Sequence, residues 1–108
     1  MRSVWAIAGI TGMLACHVHA GELTPADMDA GRSLFSATAV PACAICHTLK
    51  DAGAEGTIGP SLDALKPDAS KVRTVLKSGL GVMPAYDSLT EAQIETLSKY
   101  VSHVAGAP

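Results

Sequence analysis

The sequence predicts an all-α domain, and three observations support this class. Apolar residues recur at helical spacing in three segments, over about 25–37, 69–78 and 91–104. A residue type that favours the start of a helix stands directly before each segment. No run of β-branched residues has the length of a strand. We therefore expect helices joined by loops, without a β-strand.

The first helix is predicted to begin after Thr24, whose side chain can cap it. Pro25 suits the first helical position, and Asp27 complements the positive end of the helix dipole. The pattern continues to about Ala37, and its apolar side carries Met28, Gly31, Leu34 and Phe35. Since glycine costs about 1 kcal/mol relative to alanine inside a helix, Gly31 indicates that another helix approaches closely.

Two later helices are predicted from their caps and their apolar spacing. Asp68 can cap a helix over about 69–78, and Gly79 can end it. Thr90 and Gln93 form a capping box before a helix over about 91–104. The apolar positions are Val72, Val75 and Leu76 in the first of these helices and Ile94, Leu97, Val101 and Val104 in the second. The glycine-rich stretch between residues 48 and 66 is expected to form a loop.

Residues 1–20 have the pattern of an export signal. Arg2 supplies a positive charge, Val4–Cys16 form an apolar segment, and small residues precede a cleavage position after Ala20. The chain then divides into a signal peptide, 1–20, and a domain, 21–108. Two alternatives would hold the domain at a membrane: the segment stays uncleaved, or Cys16 ends a lipobox-like sequence and carries a lipid. In each case the domain is exported, which favours a bacterial periplasm.

The composition of the expected domain limits what it can be. Without residues 1–20 it keeps seven basic and ten acidic side chains and a net charge of −3, which excludes a polybasic nucleic-acid binder. It keeps three aromatic residues, Phe35, Tyr86 and Tyr100. A domain this small and this poor in aromatic residues often needs a disulfide, a metal or a cofactor to complete its core.

Cys43, Cys46 and His47 form the motif C-x-x-C-H, which is typical of covalent attachment of haem c. Each thiol can add to one vinyl group of the porphyrin, and the adjacent imidazole can bind the iron. A zinc site would need about four ligands, and a thioredoxin-like C-x-x-C would accompany a βαβ pattern. The sequence supports neither of these readings. One haem would also supply the apolar interior that the side chains lack.

The second axial ligand of the iron is predicted to be Met83. This residue lies in a segment rich in glycine and proline, whose constrained backbone can hold a thioether toward the iron. Met28 is expected to pack in the core, and His103 to face solvent near the end of the last helix. Either of these two residues is an alternative ligand.

His47 and Met83 together would fill both axial positions of the iron. A centre without an open position favours outer-sphere electron transfer, so we expect an electron carrier and not an enzyme. A five-coordinate haem enzyme or gas sensor is the alternative, and it requires that Met83 does not bind iron.

A carbonyl at Gly59 or Pro60 can accept a hydrogen bond from the far ring nitrogen of His47 and fix the ring's orientation.

This ordered set of motifs resembles that of class I c-type cytochromes, the small monohaem kind, over about residues 24–104. The resemblance implies the class I cytochrome c fold, in which helices wrap around one covalently bound haem. It implies thioether bonds at Cys43 and Cys46, axial ligands at His47 and Met83, and a Pro60 carbonyl that accepts a hydrogen bond from His47. The compact loops look more like those of bacterial periplasmic carriers than like those of mitochondrial cytochrome c.

The resemblance also implies that the terminal helices cross closely at Gly31, with Phe35 and Tyr100 packed near the crossing. Ser61 departs from the family, because many relatives have asparagine after Gly-Pro. The Ile-Gly-Pro and Gly-Val-Met-Pro segments look like those of cytochrome subunits that accept electrons from sulfite dehydrogenases or other sulfur-compound dehydrogenases. Such a subunit, bound permanently to an oxidoreductase, is the alternative to a free carrier.

The expected partners are periplasmic redox proteins, namely a donor dehydrogenase and an acceptor cytochrome or oxidase, and not nucleic acid. A strongly basic docking face is not expected on a domain with a net charge of −3. Four basic residues do cluster around the predicted helix over 69–78, and they are Lys66, Lys71, Arg73 and Lys77. They either steer a partner or form a solvated helix face.

Overall fold

The computed structural model describes Gly9, Gly12 and residues 22–108. The rest of the predicted signal peptide, Cys16 included, lies outside the described residues, so its cleavage or lipidation stays a prediction. Among the described helices, none is both long enough and apolar enough to cross a membrane.

The described chain is mostly helical, and this confirms the predicted fold class. The helices are α1 (Pro25–Ser33), α2 (Cys43–Cys46), α3 (Leu62–Leu65), α4 (Ala69–Ser78) and α5 (Glu91–Val104). A π-helical turn, Leu34–Thr38, continues α1. The predicted helix reaches the expected length, but its last turn is wider than an α-helix because Ala39 N–H bonds to the Leu34 carbonyl at 3.1 Å.

The prediction that the domain has no β-strand is wrong. Strands β1 (Thr48–Leu49) and β2 (Ala54–Glu55) pair antiparallel, with Thr48 opposite Glu55. A 3₁₀ turn, Lys50–Ala52, joins them and ends at Gly53. Gly53 has a φ of 62°, a conformation that glycine adopts without strain. This turn reverses the chain within the expected loop, and strands of two residues are too short to leave an alternating pattern in the sequence.

Side-chain caps fix the helix ends where the sequence predicts them. Thr24 Oγ1 accepts from the Asp27 N–H at 3.1 Å, and the Asp27 carboxylate accepts from the Thr24 N–H at 2.9 Å. Asp68 accepts from the backbone of the first turn of α4, and Thr90 forms the predicted capping box at α5. Gly79 ends α4 with a φ of 70°.

Helix α5 packs against both α1 and α4 and organises the core. Where α5 crosses α1, a methyl group on Gly31 would overlap Cβ and Cγ of Tyr100. Phe35 and Tyr100 are both fully buried next to this crossing. The mid-helix glycine therefore allows the close helix approach that the sequence predicts.

A polar cluster joins α1, α5 and the segment that follows β1. The Tyr100 hydroxyl donates to the Asp51 carboxylate at 2.6 Å, and Arg32 donates to the same oxygen at 2.9 Å. The Tyr100 hydroxyl lowers the pKa of Asp51 most strongly, burial opposes this effect, and Arg32 adds to the lowering, so that the pKa lies below its ordinary value. Asp51 thus links the terminal helices to the chain just after the C-x-x-C-H motif.

Two of the four clustered basic residues form ion pairs with α5. Arg73 lies 2.8 Å from Glu95, and Lys77 lies 2.8 Å from Glu91. These contacts place both cations on a paired, solvated face between α4 and α5. Lys71 differs from them, because it lines the cavity described below.

Gly31→Ala is expected to destabilise the protein by about 1–3 kcal/mol, because the added methyl group overpacks the helix crossing. Chemical denaturation of the haem-containing protein measures the change in the free energy of unfolding. Ser33→Ala is the matched control, since Ser33 is exposed on the same helix, and it should shift stability by less than about 0.5 kcal/mol. Equal midpoints for Gly31→Ala and the wild type would contradict the close crossing.

Asp51→Asn is expected to lower stability at pH 7 by about 1 kcal/mol, because an amide oxygen accepts weaker hydrogen bonds from Tyr100 and Arg32 than a carboxylate does. A carboxyl whose pKa is lowered on folding stabilises the protein above its unfolded pKa of about 4. That stability is lost as the pH falls through the lower folded-state pKa. The variant should therefore lose less stability than the wild type between about pH 5 and pH 2.

The measurement is a series of denaturation curves across this pH range. Asp29→Asn serves as the control, because Asp29 pairs with Arg32 but its side chain is 80% exposed. Parallel pH profiles for Asp51→Asn and the wild type would show that the polar cluster contributes no acid-sensitive stability.

Candidate functional site: an apolar cavity at the C-x-x-C-H motif

An apolar cavity of about 370 Å³ brings together the residues that the sequence singles out. Its walls come from α2, α4, α5, the segment around Gly59 and the segment 80–86. The predicted site residues Cys43, Cys46, His47, Pro60 and Met83 all line it. Residues separated by 40 positions in the chain thus meet in one concave site.

Both cysteines lie on the single turn of α2. Cys43 is buried and Cys46 is half-buried. The backbone N–H of His47 donates to the Cys43 carbonyl at 2.9 Å, which closes the turn. One short helix therefore presents two thiols and the following imidazole to the same cavity.

The imidazole of His47 is held by a backbone carbonyl. Its Nδ1 lies 2.7 Å from the Pro60 oxygen. A carbonyl oxygen can only accept a hydrogen bond, so Nδ1 must carry the proton and donate. The lone pair of the neutral ring is then on Nε2, which is the form of imidazole that binds iron.

Two glycines pack closely around the motif. A methyl group on Gly59 would lie 2.6 Å from Cε1 of His47, and one on Gly56 would lie 2.6 Å from the His47 backbone nitrogen. The Gly59 N–H also donates to the Cys46 carbonyl at 2.7 Å. The packing role of both glycines was not predicted, and the recurrence of glycine at 53, 56 and 59 was the available signal in the sequence.

Ser61 has a local structural role at the position where it departs from the family pattern. Its hydroxyl accepts from the Ala64 N–H at 3.3 Å and caps α3. The chain therefore turns into a helix directly after the Pro60 carbonyl, which helps to fix where that carbonyl points.

Met83 lies at the end of a tight turn on the rim of the cavity. The backbones of Leu80 and Met83 exchange two hydrogen bonds, each 3.0 Å long. Gly81 occupies the turn with a φ of 58°, and Met83 is partly buried against the core. The thioether-bearing residue is therefore carried on a constrained backbone.

The two alternative axial ligands lie elsewhere. Met28 is partly buried and packs against the hydrophobic core, and His103 is exposed near the end of α5. Neither residue is among those that line the cavity. Tyr86 does line it and is buried, a role in the site that was not predicted from the sequence.

The Cys43 thiol is poorly suited to thiol–disulfide exchange. Burial raises the pKa of the unmodified Cys43 thiol to about 11, whereas exchange requires a thiolate. Among residues 22–108, together with Gly9 and Gly12, no group of three or more His, Cys, Asp or Glu side chains could hold a metal ion.

The residues present fit a haem. The cavity is walled mainly by apolar side chains, it contains both thiols on one helical turn, and the fixed tautomer of His47 provides a free ring nitrogen. Cys43 and Cys46 would hold the porphyrin, and His47 would bind its iron.

Comparisons with known proteins agree with this fit. The family described as "Cytochrome C oxidase, cbb3-type, subunit III" matches residues 26–101. Cytochrome c6 of Cyanidioschyzon merolae is 33% identical over 84 residues, which cover 70% of this chain and 73% of that protein. The crystal structure of the c-type cytochrome SorU from Sinorhizobium meliloti has a TM-score of 0.74 and 48% identity, and the match covers 77% of this chain and 95% of that one.

The match to the family extends over all five helices except the first residue of α1 and the last residues of α5. Fold, cavity and relatives lead to one conclusion. The chain belongs to the cytochrome c family as a small class I c-type cytochrome, an electron carrier that binds haem c covalently through Cys43 and Cys46.

Proposed function

We propose that this protein is a periplasmic one-electron carrier in which His47 and Met83 are the axial ligands of the haem iron. The observation that carries the proposal is the convergence of these two residues on the cavity that also contains both cysteines. Haem c supplies reversible one-electron chemistry when bound. The task of the polypeptide is to set the potential of the iron and to keep other ligands away from it.

The two axial residues would divide this task. The Pro60 carbonyl, 2.7 Å from Nδ1 of His47, fixes the imidazole and increases its basicity. A thioether from Met83 stabilises the reduced iron and raises the reduction potential relative to a second histidine. With both positions occupied, no site is open for oxygen, peroxide or a substrate, so the proposed carrier is not an enzyme.

The proposed location depends on residues 1–20. Their charge and apolar pattern supports export with cleavage after Ala20, and haem attachment outside the cytoplasm agrees with it. Intact mass of the purified native protein tests this directly. A mass equal to residues 21–108 plus one haem is expected, whereas a retained apolar segment or a lipid on Cys16 would replace the soluble carrier by a membrane-held one.

The second candidate is a cytochrome subunit held permanently by an oxidoreductase, such as a sulfite or other sulfur-compound dehydrogenase. Exposed apolar residues on the cavity rim favour it, and they are Ile58, Leu65, Leu80 and Val82. Val82, at the tip of the Met83 turn, is 93% exposed. Part of this surface would contact haem, and the remainder can meet an apolar partner.

Met83→Ala is expected to abolish the thioether-to-iron absorption band of the oxidised protein and to let the reduced iron bind carbon monoxide. The reduction potential should fall by at least about 0.1 V, since axial ligands set haem potentials over about 0.8 V. Met28→Leu is the control and should keep the band, because Met28 packs in the core. Retention of the band in Met83→Ala would exclude Met83 as the ligand.

Size-exclusion chromatography of the native periplasmic extract separates the carrier from the subunit. A free carrier should elute as a species of about 10 kDa and be reduced by a separately purified dehydrogenase. Co-elution of all the haem with a much larger protein at a fixed ratio would favour the permanently bound subunit and contradict the free carrier.

A further inference from the structure

We infer that Tyr86 is a positioning residue that fastens the Met83 segment, residues 80–86, to the chain leading into the haem-attachment helix. The inference rests on the proposed role of Met83 as an iron ligand. It concerns how the polypeptide keeps that ligand in place, and not the identity of the ligand.

The Tyr86 side chain joins two parts of the chain that are far apart in sequence. Its hydroxyl donates to the Pro41 carbonyl at 2.8 Å, and Pro41 stands two residues before Cys43. Tyr86 is only 6% exposed and, like Pro41, lines the cavity. The phenol therefore runs along the cavity wall from the Met83 segment to the entry of α2.

A second bond holds the backbone of the same residue. The Tyr86 N–H donates to the Leu76 carbonyl of α4 at 2.8 Å. The Tyr86 hydroxyl bond to Pro41 connects the segment 80–86 to residues 41–47. Tyr86 thus ties the Met83 segment both to α4 and to the part of the chain that carries the cysteines.

The hydroxyl remains a donor at neutral pH. Burial is the largest cause that raises the pKa of Tyr86 above its ordinary value, so the hydroxyl stays protonated. The Pro41 carbonyl can only accept, so the direction of the bond is fixed. Without this bond, residues 80–86 would keep the backbone bond to Leu76 and their side-chain packing but lose a hydrogen bond to the chain before Cys43. Met83 should then leave the iron more readily.

Imidazole added to the oxidised haem-containing protein tests the inference, because it competes with the thioether for the iron. Tyr86→Phe keeps the ring and removes only the hydroxyl. We expect this variant to bind imidazole about three- to tenfold more tightly than the wild type, as loss of one hydrogen bond allows. The decay of the thioether-to-iron band measures the binding.

Tyr100→Phe is the matched control. It also removes a hydroxyl bond of a buried tyrosine, the one to Asp51 at 2.6 Å, but on the α1–α5 side of the domain. It should lower the denaturation midpoint and leave imidazole affinity within about twofold of the wild type. Equal imidazole affinity of Tyr86→Phe and wild type, or an equal increase in both variants, would overturn the inference.

Amide hydrogen exchange in the wild type gives a test that needs no variant. Saturating imidazole should expose the Met83 amide while the Tyr86 amide, bonded to Leu76, stays protected. Equal loss of protection at both amides would also overturn the inference. If the oxidised wild type lacks the thioether-to-iron band, Met83 is not the iron ligand and the proposed function is wrong. This result differs from those that contradict the role of Tyr86, so the two failures can be distinguished.

Discussion

The hydrogen bond between His47 Nδ1 and the Pro60 carbonyl is the contact around which the site is arranged. For the imidazole to reach this oxygen, the chain after α2 must return to it within 13 residues. The short strands and the turn at Gly53 provide that return, and Gly59 leaves room for the ring. Ser61 then turns the chain away into α3. The geometry of one side chain thus constrains the whole segment from 48 to 65.

Caps and apolar spacing were sufficient to predict the three long helices. The side chains of Thr24, Asp68 and Thr90 each accept a hydrogen bond from the first turn of the helix that follows. Because cap and helix are neighbours in sequence, a local pattern is sufficient to predict where each helix begins. The π-helical turn and the two strands were not predictable in the same way. The turn and the strand pair each depend on a few backbone hydrogen bonds, and the packing of the folded chain determines which groups form them. Elements this short do not produce a periodic pattern of apolar residues in the sequence.

The part of the candidate site that could be predicted consists of residues whose type and sequence spacing indicate their chemistry. Cys43, Cys46 and His47 lie within five consecutive positions, and Met83 stands in a segment rich in glycine and proline. Tyr86 and Asp51 were missed as partners because they act across long sequence separations, 45 residues to Pro41 and 49 residues to Tyr100. An isolated tyrosine or aspartate has no sequence context that reveals such a partner, and only the folded chain brings the two together.

The ion pairs between α4 and α5 have a consequence for molecular encounters. Arg73 and Lys77 direct their charges toward Glu95 and Glu91, so their fields largely cancel beyond a few ångströms. Near the cavity, the surface is instead formed by aliphatic side chains such as Val82. Of the four clustered basic residues, Lys71 lines the cavity, so long-range attraction on this side comes from few charged side chains. Selection then occurs at contact, where the shapes of the two surfaces and the expulsion of water decide which collisions last long enough for an electron to pass.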